Sequence, residues 1–543
     1  MAHSVQVTHW RAAAAAMWRD RRSRWLLGLC LLWHLVVGAA FHLSPDEAHY
    51  ALYASRLAWS YYDHPPLVGW VQLPAVWAGA HDLGLRVMPL LCWVLSAVGL
   101  VSLTQAWSDP AAAQARPHQV DRLSGAAWMV LILWALAPLP QLLGLALVPD
   151  TLLMPLVCVL MGLVWRLSHA EAGKNTRVWC LLGLVLGLAG LAKYTAVLLG
   201  LGALAALSWA HGLAMWRSRG PWLALALALA AQTPVLAWNA AHDWGSFAYQ
   251  FGHASGGGSW RAWRPPAYAL AQLGVYGVLP LMGLLVACVN LPNSQQAEAA
   301  AGARRHVSVG ILSMCFGLPT LLLCIVLSGR AATLPHWTAP AWVALLPFAA
   351  MGCNALWLRR RAAVTAAGAL QLLLMLAMSG LLLFGGVGRE TGAQATSPPG
   401  VKAGKAPTNP VADLYGWDDA ARQAAALARA HGVSTLAVMN WSLASRIAWY
   451  ARPLPVKVVD RHRGQFDLWF GALKPGDDVV LIDWSLMTRA PPEGPGQFSS
   501  CRLLGQQEVR HLGGQLAHFS FLLCRGWQGQ PATATQVLRG QER

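Results

Sequence analysis

Charge is what this sequence has least of. Of 543 residues only 12% are Asp, Glu, Lys or Arg, and the acidic share is the smaller, 23 residues against 40 basic. A soluble domain carries about a quarter charged residues, so the chain as a whole is not built for water. Two further absences narrow the chemistry. The ten cysteines form no C-x-x-C pair, which argues against a thiolate zinc site. The C-terminal part holds no G-x-G-x-x-G and no P-loop, so nothing supports nucleotide binding there. The first apolar run follows a long Arg-bearing segment without a small-residue cleavage site, and no cleavable signal is expected.

What the chain has instead is apolar runs. It is 56% hydrophobic, with a mean hydropathy of +0.42. Eight cysteines lie singly in these runs, where they read as small buried hydrophobes. A membrane helix needs about 20 apolar residues. Candidate spans fall at 25–42, 83–107, 123–143, 151–168, 178–192, 195–213, 221–238, 267–289, 307–328, 338–357 and 362–387. The expected fold is a polytopic α-helical membrane protein of about eleven spans. The fifth and sixth runs are divided only by Lys193-Tyr194, and loop charge decides between one span and two. With two, Arg116, Arg122, Arg166, Lys174, Arg177, Arg217, Arg219, Arg304, Arg305 and Arg359-Arg360-Arg361 share one side with the N-terminus. Positive loops mark the cytoplasmic side. The net charge of +17 therefore reads as membrane orientation and contact with anionic lipid, not as nucleic-acid binding.

The expected organisation is a cytoplasmic lead (1–24), a transmembrane domain (25–388), a linker (389–412) and a periplasmic α/β domain (413–543). The segment 43–82 is too polar to span and reads as short interfacial helices anchored by Trp59, Tyr61, Tyr62, Trp70 and Trp77. In the last domain helices are expected at 418–431 and 442–450. Strands are expected near 434–439, 454–460, 478–483, 501–505 and 515–523. Cys501 and Cys524 bound the last two, and a disulfide is expected between them.

The outer face collects acids (Asp46, Glu47, Asp63, Asp150, Asp243), imidazoles (His49, His64, His242, His253, His336) and cations (Lys193, Arg261, Arg264, Arg330). Several have plain structural explanations. Ser44 with Glu47 makes a capping box and Pro45 suits the first helical position. Asp150 suits an N-cap, Lys193 can snorkel, and Arg261 and Arg264 can meet lipid headgroups. Asp46 and the Tyr61-Tyr62-Asp63-His64-Pro65-Pro66 segment have none. Together these groups suit an anionic lipid headgroup with an acid nearby.

Leu43-Ser44-Pro45-Asp46-Glu47-Ala48-His49-Tyr50, followed by Tyr62-Asp63-His64-Pro65-Pro66-Leu67-Val68-Gly69-Trp70, resembles the first outer loop of GT-C glycosyltransferases. The nearest branch is the bacterial protein-mannosyltransferase and aminoarabinose-transferase-like group, which uses polyprenyl-phosphate sugars. Further matches are Pro149-Asp150, Gly190-Leu191-Ala192-Lys193-Tyr194, Trp238 to Trp244, Leu334 to Pro340 and Leu414-Tyr415-Gly416-Trp417. The resemblance implies an active site at the outer face of a bacterial inner membrane. It implies Asp46 as the base for the acceptor hydroxyl, with Glu47 and Asp150 as the other candidate acids. His64 stands where the aminoarabinose transferases hold the lipid phosphate with a lysine, so Lys193, Arg261 or Arg264 would share that task. Asp63 matches a residue that can share a divalent metal with a histidine matched by His253. The expected partners are a polyprenyl-phosphate sugar, membrane lipid, and a lipid, glycan or protein acceptor. The rival readings are a transporter or flippase of a lipid-linked substrate and a noncatalytic assembly partner.

The loop charges make one prediction directly. Reporter fusions after Arg361 and after Gly404 should report opposite sides of the membrane. A reporter active in the cytoplasm at 404 contradicts the eleven-span topology.

Overall fold

Where no water competes, every backbone N–H and C=O must be satisfied within its own segment, so apolar runs become helices. The computed structural model describes residues 13–79, 81–109, 122–171, 175–255, 259–300, 307–385, 411–459, 464–488 and 491–529, without the side chains of 253–255 and 291–300. Arg116, Lys174, Arg304, Arg305 and nearly all of the 389–412 linker lie outside the described residues, as do residues 1–12 of the lead. Every apolar run read from the sequence falls on helix. Among the described residues six helices are long and apolar enough to cross a membrane: Asp82–Ser108, Pro149–Ser168, Tyr194–Arg217, Val309–Ser328, Pro335–Arg359 and Arg361–Phe384. Two bent pairs bring the number to eight if each is one span. Arg21–Gly38, Gly125–Leu136 and Thr176–Ala192 take up the remaining runs. In the Arg361–Phe384 helix Leu370, Leu373 and Leu376 are exposed, as expected of a surface that faces lipid.

Three runs that read as single spans are broken. Pro138 interrupts 123–143, because the preceding Ala137 is extended. The 221–238 run bends by 41° ahead of Pro234, which cannot donate to the preceding turn. The 267–289 run turns by 109° at Gly277, whose φ of +90° only glycine adopts freely. The backbone groups freed at that turn are recaptured by Gln371, which is fully buried. Its amide accepts from Leu279 N at 3.3 Å and donates to Tyr276 O at 3.1 Å.

By its contacts the chain divides into two compact units. One comprises Met1–Val36, Ala58–Val71 and Arg86–Leu376, and the other Val37–Leu57, Gln72–Leu85 and Ala377–Arg543. The sequence suggested that the whole 43–82 segment goes with the membrane domain; by contacts, its two ends go with the C-terminal part. The first unit is packed through small residues. Gly283 and Gly352 bring the Val278–Ala300 and Ala339–Arg359 helices so close that a Cβ on Gly352 would lie 2.0 Å from Gly283 O.

The second unit is built on a five-stranded sheet in the order β2-β1-β3-β5-β4. The strands are β1 (Leu436–Val438), β2 (Val456–Val458), β3 (Val479–Trp484), β4 (Phe498–His511) and β5 (Gly514–Trp527). β1 runs parallel to β2 and β3, while β5 is antiparallel to β3 and β4. β3 is buried along its whole length because both faces are covered. Val480 and Ile482 face the Trp417–Ala430 helix, whose stripe of Ala420, Ala421, Ala424 and Ala428 lets it approach closely. Val479 and Leu481 face Phe498, Leu522 and Cys524. Helix Pro45–Ser55 joins the larger core through Ala48, Ala51 and Leu52, beside Leu443 and Ile447 of helix Trp441–Tyr450.

Cys501 and Cys524 are cross-strand partners in β4 and β5 and are joined by a disulfide. The pair closes a hairpin of 23 residues' separation, which constrains the unfolded chain. Replacing both by serine should lower the unfolding free energy of this domain by about 2–4 kcal/mol in chemical denaturation. Equal stability with and without reductant would mean that the bond carries no such constraint.

Candidate active site

In the first unit the motifs that lie far apart in sequence meet at one end of the helices. Pro149 opens the Pro149–Ser168 helix, and Thr151 Oγ1 accepts from Val148 N at 3.3 Å. Thr151 therefore does the capping that the sequence offered to Asp150. Asp150 stands one position inside, 1% exposed, and needs a cation. Lys193 provides it. The Thr176–Ala192 helix stops where Lys193 turns extended (φ −156°, ψ 139°). That turn carries Nζ to 2.7 and 2.9 Å from the two Asp150 carboxylate oxygens. His336 Nε2 stands 3.7 Å from the same carboxylate, and Trp337 lays its ring 5.5 Å from Lys193 Nζ. Lys193 is thus neither snorkelling nor free for a phosphate by itself; it is shared with Asp150.

The next residue faces another way. Tyr194 hydroxyl meets Ser246 Oγ at 2.8 Å, and the Asp63 carboxylate acts on it through space. The first-loop turn that holds Asp63 and His64 is bonded to itself: Ala58 N donates to Tyr61 Oη at 3.1 Å, and Tyr61 N to His64 O at 3.1 Å. It rests on helix Gly245–Ser255, where Gln250 donates to Asp63 O and Tyr249 packs against Tyr62 at 5.2 Å. His253 follows on that helix, with its side chain outside the described residues. Among the described residues no group of three or more His, Cys, Asp or Glu could hold a metal ion.

Arg261 and Arg264 lie on the segment that leads into helix Arg264–Tyr276. Arg261 N donates to Gly329 O at 2.8 Å, which brings Arg330 into the same loop pair. Arg261 and Arg330 are exposed and Arg264 is half-buried. Beneath this end lies a polar layer. Gln272 Oε1 accepts from Thr338 at 2.8 Å and from Trp342 Nε1 at 3.0 Å, while Thr338 also reaches Tyr276. An apolar groove of about 520 Å³ runs between helices Thr176–Ala192, Val197–His211 and Arg219–Ala230, from Tyr194 and Phe247 to Trp216.

In the second unit Asp46 and Glu47 occupy the first turn of helix Pro45–Ser55. Glu47 completes the capping box, with its Oε2 accepting from Ser44 N at 3.0 Å and its N donating to Ser44 Oγ at 3.4 Å. Asp46 is half-buried and within electrostatic reach of the buried Arg446. His49 Nδ1 lies 3.1 Å from Ser445 Oγ. That hydroxyl already donates to Trp441 O at 2.8 Å, so the ring nitrogen is the donor. Tyr450 hydroxyl donates to Asp82 and accepts from Leu43 N at 3.0 Å. Burial, reinforced by Asp82, pushes that hydroxyl far above its usual range. Burial also brings the Arg452 guanidinium down to about 10, against the pull of Asp82.

Two solved structures share this arrangement, those of ArnT from Cupriavidus metallidurans in the apo state and bound to undecaprenyl phosphate. They are 13% and 14% identical to this chain, each with a TM-score of 0.57 over 91% of this chain and 97% of theirs. The fold is that of a GT-C membrane glycosyltransferase. A family model described as dolichyl-phosphate-mannose-protein mannosyltransferase matches residues 120–238. That stretch of the GT-C fold takes in Asp150, Lys193 and Tyr194. No curated protein matches the chain.

Of the residues singled out from the sequence, the GT-C unit brings Asp150, Lys193 and His336 into one cluster. It sets Asp63 near Tyr194 and gathers Arg261 with Arg330. The Tyr268-Gln272-Tyr276 row was not singled out, although a polar residue every four positions in an apolar helix is a legible sign of an inward polar face. Arg446 was missed too, because an arginine between apolar residues of a soluble helix looks like any surface residue.

The ion pair sets the energetics of this end. Lys193→Met leaves the Asp150 charge buried and unpaired and should destabilise the membrane unit by about 3–5 kcal/mol, read as a lower melting temperature in detergent. Adding Asp150→Asn should recover much of the loss. Equal melting of single and double variants would show that the two charges do not depend on each other.

Proposed function

We propose that the protein is an inverting glycosyltransferase that moves a sugar from a polyprenyl phosphate to an acceptor hydroxyl at the periplasmic face of a bacterial inner membrane. The observation that carries this reading is the closure of Asp150, Lys193 and His336 on one another in a GT-C fold. The relative solved with a lipid holds undecaprenyl phosphate. An apolar groove between helices suits a polyprenyl tail, and it ends at Tyr194, beside Lys193. Charge-assisted bonds from arginine suit the phosphate that becomes the leaving group, and Arg261 and Arg264, with His64, are the groups to make them. Lys193 contributes through the share of its charge not taken by Asp150.

The acid that takes the acceptor proton must be ionised and not already neutralised. Asp150 is held by Lys193 at 2.7 Å, and Glu47 is engaged in its cap. Asp46 is half-buried and is our choice for the base. Asp63 with His253 supplies only two metal ligands, so no step is routed through a metal. The bent helix at Gly277 is the one feature that favours a transporter, since transporters use broken helices. Release of polyprenyl phosphate from a panel of polyprenyl-phosphate sugars by purified protein separates the two readings.

Two variant results are expected in that assay. Asp46→Asn should fold, insert and bind donor, yet turn over at least about 100-fold more slowly, the lower range of general-base catalysis. Arg261→Ala or Arg264→Ala should weaken donor binding and turnover. Normal turnover in well-folded Asp46→Asn moves the base to Asp150, and activity in Asp150→Asn as well removes the transferase reading.

A further inference from the structure

Arg446 is a buried charge with an incomplete set of partners. It is 1% exposed, and its guanidinium lies 3.5 Å above the Trp417 ring and 5.8 Å from that of Trp484. One nitrogen donates to Asp413 O at 2.7 Å and to the Asp413 carboxylate. Its Nε is buried with no hydrogen-bond partner among the described residues. Stability alone does not explain such a group, because an apolar side chain of similar volume is often as good or better at a buried ionic site.

Its position suggests another use. Helix Trp441–Tyr450 packs along helix Pro45–Ser55, with Leu443 and Ile447 meeting Ala48, Ala51 and Leu52. Ser445, one residue before Arg446, accepts from His49, which Tyr53, Trp441, Phe466 and Trp469 enclose. Tyr450, one turn further, fixes Leu43 N just before the cap. The helix that bears Asp46 is therefore held at its start and along its side by one helix of the C-terminal domain. We propose that Arg446 is a positioning residue for Asp46: through helix Trp441–Tyr450 the C-terminal domain fixes the carboxylate and keeps it ionised. This rests on the reading of Asp46 as the base.

The other charged and titratable groups on these packed elements are Glu47 and His49 on the helix itself, His42 before it, Asp82, Tyr450, Arg452, Asp413 and Asp418. Asp413 and Asp46 both act on Arg446, while Asp82 and Glu47 act on Tyr450. Arg446 is the cation among them that water screens least. A positive charge beside a carboxylate lowers its pKa, so a base needed in its ionised form stays active to lower pH while Arg446 is present.

The test is the pH profile of kcat for the full-length protein in detergent, with polyprenyl-phosphate sugar as donor. Arg446→Gln should move the acid limb up by at least about half a pH unit, roughly threefold in rate on the acid side, with donor KM little changed. Arg446→Lys, which keeps the charge, should restore the limb. Asp413→Asn frees Arg446 from its counter-charge and should move the limb down. This half-exposed change serves if Arg446→Gln does not fold. Limbs that coincide with wild type in Asp413→Asn and in any folded Arg446→Gln overturn the proposal, as does an equal upward shift in Arg446→Lys. Wild-type protein inactive with every donor overturns the transferase reading itself, a result distinct from an active enzyme with an unmoved limb.

Discussion

The membrane unit depends on one ion pair. Asp150 and Lys193 are both buried, and neither charge is tolerable in a low-dielectric interior without the other. Satisfying the pair requires the helix before Lys193 to stop, since only an extended residue turns Nζ inward. That stop then sets Tyr194 toward Ser246 and starts the Val197–His211 helix on a new course. His336 and Trp337 close over the same two charges. Four separate parts of the chain are thus placed by a single electrostatic requirement.

The same logic governs the broken helices. A helix that turns by 109° within an apolar bundle frees backbone groups that no water can reach. Gln371 recovers two of them from another helix, and Gly277 leaves the space in which its amide sits. Gln272, Thr338 and Trp342 form a second satisfied polar layer. Polar side chains in this unit serve first to repair backbone or to pair with charge. The exposed arginines 261 and 330 and the half-buried Arg264 are the groups left over for an anionic ligand.

The soluble unit follows different rules. Its core is a sheet covered on both faces, its helix approaches on a stripe of alanines, and a disulfide closes its outer hairpin. It also includes the helix with Asp46 and encloses Arg446 between two tryptophans. Such a domain is a rigid support for one short helix, and rigid support is what a proton acceptor needs to keep its geometry.

Composition and periodicity determined much by themselves. Too little charge and too many apolar runs specify membrane helices, and the alternation of patterns after residue 413 specifies an α/β domain. Every strand expected there is present, the two cysteines are joined, and Lys193-Tyr194 does separate two helices. These features are local: each depends on the residues within one segment. The tertiary structure alone decided the rest. Whether Asp150 is a cap or half of an ion pair depends on a lysine 43 residues away. Whether 43–57 goes with the membrane helices or with the C-terminal domain depends on a face of helix Trp441–Tyr450 nearly 400 residues later. A sequence pattern reports which surfaces want burial, but the partner that buries them, and the charge that must follow a buried charge, are set only when distant segments pack.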